Sequence, residues 1–371
     1  MLAVVQRPTK KYTINMIPLA DKIIHLIDEL YQQKRSPTSN SLIYIFIKMS
    51  FTLPRAVKIA FTWTVASQQG WKMSAGTDYE IADERKSLWW RGYATNAREV
   101  WRAPSGIAAK TRALLRSAAV DLASFVARRD ESRVLRCIYL HTVMDDERVG
   151  FEQLVKLIGS QGDVIGTREV LDIIAGRVRL DGRYFHISFD DGFAGVVRSA
   201  VPILIDHRMT ATLFVATAFI EADFDDVVGY CTRIMRYAAP VEVANWEELR
   251  RAHAAGFEIG SHTHRHARLS ETSGDMHRML MELQRSKSLI EQNLNAPCTS
   301  IAWPYGTNAD IDETALAAIQ RAGYEACFSA VRGRVEPGAT EPLRIPRHQV
   351  EAGWSNAHKS AWIAGLGESS R

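Results

Sequence analysis

The four cysteines of this 371-residue chain, Cys137, Cys231, Cys298 and Cys327, lie far apart, and no C-x-x-C joins any two of them. Such spacing signals neither a thiolate zinc centre nor a disulfide framework, and leaves reduced, buried thiols as the expectation. Neither a Walker loop nor a G-x-G-x-x-G occurs, so nothing supports nucleotide binding, and no internal repeat is evident. Charge of one sign is scarce too: 46 Lys and Arg against 42 Asp and Glu leave a formal +4. A nucleic-acid face needs clustered charge rather than so small a surplus, and no nucleic-acid partner is expected. Long apolar runs are also missing. The most apolar stretch, LIYIFIKMSFTLPRAVKIAFTWTVA (42–66), is broken by Lys48, Pro54, Arg55 and Lys58, whereas a membrane-crossing helix takes about 20 uninterrupted apolar residues. The start, MLAVVQRPTKK, turns polar too soon for a secretory leader. The expected location is therefore the cytoplasm or the inner membrane face.

What is present is the composition of a globular protein, 46% hydrophobic and 24% charged, with room for one large domain and an extension. Residues 1–85 form a poorly defined, partly apolar N-terminal region. Residues 86–136 are basic and alanine-rich, with helical spacing of apolar positions after Pro104. Their cationic face reads either as a solvated helix surface or as a peripheral contact with anionic lipid. The main domain is expected over 137–355, with a C-terminal tail over 356–371.

From Cys137 onward, short strand-like runs alternate with helical segments. CIYLHTV, YFHISFDD, TATLFVA, FEIGSH, SIAWPYG and YEACFSA read as strands. Between them FEQLVKLIGSQG, FAGVVRSAVPILIDHRM, NWEELRRAHAAG, a long segment over 274–294 and IDETALAAIQRAG read as helices. This alternation predicts parallel strands with crossover helices, as an α/β barrel or a doubly wound sheet, in which chemistry sits at the carboxyl ends of strands.

Two polar clusters fall at such ends. In HISFDDGF, Asp190 and Asp191 are adjacent at the close of an apolar run. Enclosed, the two carboxylates repel and lose hydration, so the pair needs a counter-charge, a shared proton or a metal. In SHTHRHARL, His262 and His266 stand four apart, a spacing that places two imidazoles on one side of a helical turn and sends His264 elsewhere. Two imidazoles and one carboxylate make a three-ligand set with an open position, the pattern of a catalytic zinc. One aspartate would then bind the metal and the other stay free beside it. Gly192 lets the chain turn so that both carboxylates reach one cavity.

FDDG, H-T-x-x-H and WPYG, in this order and at strand ends, resemble the motifs of the polysaccharide deacetylase family, the NodB-homology domain of carbohydrate esterase family 4. The resemblance covers roughly residues 137–350. It implies a distorted (β/α)7 barrel, preceded here by an N-terminal helical extension, and metal-dependent hydrolysis of acetamide groups on sugar polymers, usually with Zn2+. By motif it makes Asp190 the general base, Asp191, His262 and His266 the metal ligands, and Tyr305 the residue whose backbone N–H holds the oxyanion. The order is similar to the poly-N-acetylglucosamine deacetylase branch, where the acid histidine precedes the aspartate pair. That implies His141 in CIYLHTV as the general acid, with His348 in LRIPRHQV as runner-up.

One position departs from the pattern. Many members carry an arginine two residues before the proline of the third motif, but this chain has Ala302, so another cation must tune Asp190 if any does. The implied partner is a carbohydrate bearing N-acetyl groups. The alternatives are a deacetylase or deformylase of a lipid-linked or small amino sugar, and a non-catalytic glycan-binding or scaffold member of the fold. Trp246 and Leu269 read as core, and the insertion at 221–242 is the expected seat of substrate-contacting loops. Trp89, Trp90 and Trp101 would either stack on sugar rings or anchor the N-terminal segment.

Overall fold

The computed structural model describes residues 92–101, 132–272, 274–366 and 368. The N-terminal region 1–85, most of the basic segment 86–136 and the tryptophans Trp89 and Trp90 lie outside the described residues. Among the described residues no helix is long and apolar enough to cross a membrane.

Among the described residues eight strands form one all-parallel sheet: β1 (Val134–Leu140), β2 (Asp163–Val164), β3 (Arg183–Phe189), β4 (Thr212–Val215), β5 (Glu258–Ser261), β6 (Ser300–Ala302), β7 (Ala326–Phe328) and β8 (Arg347–Gln349). Their order is β7-β6-β5-β4-β3-β1-β8, with the two-residue β2 set beside β3. The chain ahead of β8 returns to β7, where Phe328 bridges Ile345 in parallel and Arg347 N–H donates to Val331 O at 2.9 Å. The sheet thus curls into a nearly closed seven-strand barrel, the (β/α)7 architecture expected. β1 begins at Val134, ahead of the expected start, and ends at Leu140, so His141 stands just past its carboxyl end.

Helices α1 (Ala97–Val100), α2 (Arg148–Gly159), α3 (Thr167–Ile174), α4 (Val201–Asp206), α5 (Phe224–Gly229), α6 (Trp246–Ala254), α7 (Met276–Leu294), α8 (Glu313–Arg321) and α9 (Asn356–Ile363) complete the fold. Local chemistry marks their starts. Asn245 accepts from Glu248 N–H at 2.9 Å while the Glu248 carboxylate accepts from Asn245 N–H at 3.0 Å, a capping box on α6. Asp275 and Asp312 cap α7 and α8 through their side chains alone, accepting from Arg278 N–H at 2.9 Å and Ala315 N–H at 2.7 Å. Helix α9 falls inside what the sequence reads as a tail.

Strand alternation sorts the core into two shells. Ile138, Phe185, Ile187, Phe189, Leu213 and Ile301 pack outward against the helices, with Trp246 and Leu269 in the same cluster. Leu135, Cys137, Phe214, Ala302 and Phe328 fill the barrel interior. His186 sits among them, stacked on Phe328 at 4.7 Å and bonded through Nε2 to the Thr167 and Thr212 hydroxyls. Burial, with the cation of Arg347 nearby, lowers its pKa to about 3, so it is a neutral filler. The interior is plugged, and a ligand can enter only at an end.

The insertion folds as α5 followed by a wider turn over Tyr230–Ile234. Residues 92–101 brace it: Ala94 N–H donates to Pro240 O at 2.8 Å, Ala238 N–H to Val100 O at 2.9 Å, and Trp101 packs edge-on against Tyr237 at 5.0 Å.

Candidate active site

A cavity of about 210 Å3 opens at the carboxyl end of the barrel, lined by Tyr139, His141, Asp190, Ile234, Met235, His262, His266, Trp303, Tyr305, Ala330 and Arg347. Asp190 follows β3, and its N–H donates to Leu140 O at 2.9 Å, which pins it beside the end of β1. Asp191 has φ +77° and Gly192 φ +84°. The reversal at these two residues lets adjacent carboxylates serve one site, where a continued strand would send them to opposite faces.

The carboxylates have different surroundings. Asp190 is gripped by Arg347, whose two terminal guanidinium nitrogens each donate to one of its oxygens at 2.8 Å. Arg347 also donates to Ser329 O and the Ser188 hydroxyl and lies 4.2 Å over the Tyr139 ring. Burial pushes the Asp190 carboxyl up, but Arg347, with His262 and His141 behind it, outweighs burial and holds it below the ordinary range. The cation missing at Ala302 is thus supplied from β8.

Asp191 is fully buried. Its Oδ1 lies 3.5 Å from Nε2 of both His262 and His266 and accepts the Tyr230 hydroxyl at 3.0 Å. Burial, with Asp190 alongside, raises its pKa despite the surrounding imidazoles. Oδ2 has no hydrogen-bond partner among the described residues, nor has His266 Nδ1. His262 Nδ1 meets Ala302 O at 2.9 Å, which leaves its Nε2 facing Asp191. Burial, then the neighbouring His262, lowers the His266 pKa well below its usual value, so this imidazole is neutral and ready to ligate. Ligand atoms about 2.1 Å from one tetrahedral ion lie about 3.4 Å apart, close to what is found here. The three side chains fit a divalent cation in donor type and in the two His–Asp191 separations.

The histidine loop is not the helical turn that the spacing implied. It is irregular, with Thr263 at φ +61° and His266 at φ +55°. The two rings still come within 4.8 Å, while His264 turns away to the Thr217 hydroxyl at 3.0 Å.

His141 enters from the β1 end. Its Nδ1 lies 3.5 Å from the Glu351 carboxylate. Burial alone would lower its pKa, but Glu351, Asp191 and Asp190 together raise it to about 9. His348 is elsewhere: as the neighbour of Arg347 on β8 it faces the opposite way, bonding Glu368 Oε1 at 3.0 Å and Gly333 O at 3.1 Å. Arg136 completes this buried outer cluster at 2.6 Å from Glu368.

Tyr305 sits at the rim with φ +65°, and Gly306 N–H closes a γ-turn onto Pro304 O at 2.8 Å. Its ring lies edge-on to His266 at 4.9 Å and under the Arg268 guanidinium at 4.0 Å. Among the described residues its own N–H donates to no protein group.

Sequence reasoning did not reach Arg347, Glu351 or Tyr230. Each contact spans long sequence separation, and only Arg347 left a signal: a charged residue on a strand-like segment facing a packed interior must have a counter-ion.

The family model described as polysaccharide deacetylase matches residues 177–327 of this chain. Poly-beta-1,6-N-acetyl-D-glucosamine N-deacetylase of Staphylococcus aureus MRSA252 is 23% identical over 205 residues, 53% of this chain and 64% of that protein. The chain thus spans under two thirds of this relative's length. Among solved structures, IcaB from Ammonifex degensii superposes with TM-score 0.52 and 20% identity, over 63% of this chain and 98% of that one. The de-N-acetylase from Aggregatibacter actinomycetemcomitans gives 0.51 and 16%, over 62% and 99%. At these identities the likeness establishes the barrel fold.

Proposed function

We propose that the protein is a metal-dependent hydrolase that removes N-acetyl groups from a glucosamine-containing polysaccharide, with Zn2+ as its metal. The observation that carries this is one cavity lined by an Arg-paired carboxylate, Asp190, by His141 beside the Glu351 carboxylate, and by His262 and His266, which form a candidate metal set with Asp191. The named activity of the staphylococcal relatives supports the substrate class.

Asp191, His262 and His266 would hold the cation, which when bound polarises the acetamide carbonyl and makes water a stronger acid. Asp190, kept ionised by Arg347, takes the proton of the attacking water at a carboxylate oxygen. The Tyr305 N–H donates to the oxygen that becomes negative as the carbonyl carbon turns tetrahedral. His141, protonated below about pH 9, passes its proton to the departing amine nitrogen, and acetate and a free amine result. Ile234 and Met235 give the cavity an apolar wall on the insertion side.

Acetate release from β-1,6-linked N-acetylglucosamine oligomers by the zinc-loaded full chain tests the proposal, with Asp190→Asn expected to lose at least 100-fold in kcat. No release from this or other N-acetylated oligosaccharides under any divalent cation would leave a binding or scaffold role. Equal release by Asp190→Asn would refute the base assignment.

A further inference from the structure

The hydroxyl of Tyr230 comes from the insertion and reaches the oxygen of Asp191 that faces both imidazoles. The ring cannot swing freely. It is 1% exposed, stacked on Phe219 at 3.9 Å and 11°, and lies 6.0 Å from both Phe193 and His266. Asp191, by contrast, has little else to orient it: its backbone sits at φ +77° and its second oxygen has no partner among the described residues. A carboxylate held through one oxygen only is free to rotate about χ2 once that contact goes. The turn that delivers Tyr230 is itself fastened, since Val241 N–H donates to Cys231 Sγ at 3.2 Å.

We propose that Tyr230 is a positioning residue for the metal centre, its hydroxyl fixing the Asp191 carboxylate in the orientation that completes the ligand set with His262 and His266. The hydroxyl occupies one lone pair of Oδ1 and leaves the other for the cation, so donor and metal share an oxygen instead of competing for it. Because Ile234 and Met235 of the same turn wall the cavity, one short segment braced by residues 92–101 sets both the metal carboxylate and the substrate wall. The inference rests on the metal reading of the site, and not on which substrate is hydrolysed.

The experiment is zinc titration of the full chain, stripped of metal, against a chromophoric chelator. Tyr230→Phe keeps the stacked ring and removes only the hydroxyl. Its zinc Kd should rise by roughly 10- to 100-fold, the usual loss on removing a partner of a metal ligand. Its metal-free melting temperature should fall only by the few degrees that one lost buried hydrogen bond accounts for, and the visible absorption of its cobalt form should change in intensity. Phe219→Leu, which loosens the ring without touching the hydroxyl, should weaken zinc by a smaller factor. Cys231→Ala loosens the turn that delivers the hydroxyl while leaving the hydroxyl itself in place, and should also weaken zinc by a smaller factor than Tyr230→Phe. A Tyr230→Phe affinity equal to wild type overturns the proposal, as does a loss in Cys231→Ala as large as that in Tyr230→Phe. Failure of the wild-type chain to bind zinc removes the metal reading and this inference with it.

Discussion

Arg347 and Asp190 meet fork to fork inside the barrel, each terminal guanidinium nitrogen 2.8 Å from one carboxylate oxygen. Their strands are not neighbours in the sheet, since β1 runs between β3 and β8. The arginine therefore reaches across the barrel mouth, over the Tyr139 ring of that intervening strand. Both groups are nearly fully buried, so neither can fall back on water if the other is removed.

Arg347→Met should accordingly cost about 3–5 kcal/mol of stability, the usual penalty for orphaning a buried charge. The Asp190 pKa, now held down by the arginine against burial, should rise, and the acid limb of the kcat/KM profile should move to higher pH. Arg347→Lys keeps the charge but loses the two-point grip, and should fall between wild type and Arg347→Met in both measurements. A pH–rate profile and a thermal melt on each variant check this.

Glu351→Gln acts on the other limb. The Glu351 carboxylate is the leading group that offsets burial and lifts His141 to about 9. Without that charge the imidazole gives up its proton at lower pH, so the basic limb of the profile should retreat toward neutrality while zinc affinity is unchanged. An unshifted basic limb would show that the acid is not His141.

The outer cluster of Arg136, His348 and Glu368 makes a prediction about stability alone. Burial would raise the Glu368 pKa, but its bonds to His348 and Arg136 pull it from 4.5 to about 2. A depressed carboxylate stabilises the fold above its unfolded pKa, and that contribution fades as pH falls from 4.5 toward 2. Glu368→Gln should therefore lower stability by about 2 kcal/mol at neutral pH, or roughly 4–8 °C in a domain of this size. The gap from wild type should close as the pH is lowered through that window. Melting curves at a series of pH values read it directly.

Apart from the two-residue β2 and helix α3, which the sequence reading passed over, the β/α order from Cys137 to Phe328 is legible in the sequence because apolar runs of strand length and helical periodicity are local patterns. The convergence of Asp191, His262 and His266 is legible too, since residues brought together at strand ends recur within short motifs. The turn carrying the histidines was not: a spacing of four suits a helix, but positive φ at Thr263 and His266 brings the rings together by another route. Nor was the cation for Asp190, because pairing across the barrel depends on how the sheet closes, and β8 is only Arg347–Gln349. Alternation on that strand also separates Arg347, in the cavity, from His348, in the outer cluster, although the two are adjacent in the chain.

Tyr305 combines two properties that mutation can separate. Its ring lines the cavity rim, while its N–H is placed by a γ-turn that holds it at φ +65°. A Cβ on Gly306 would stand 2.8 Å from Ala330 N and 2.9 Å from Trp303 O, and φ there is +51°. Gly306→Ala must therefore shift the turn and swing the Tyr305 N–H out of the place proposed for it as oxyanion donor. By analogy with loss of one oxyanion donor, kcat should fall about 100-fold or more, with zinc affinity intact. Tyr305→Gly does the reverse, removing the ring while keeping an N–H on a residue that accepts positive φ without strain. It should raise KM and hold kcat within about tenfold of wild type, since only ground-state contact with the sugar is lost. If Tyr305→Gly instead loses kcat as severely as Gly306→Ala, the phenol ring and not the backbone N–H carries the catalytic contribution of this turn.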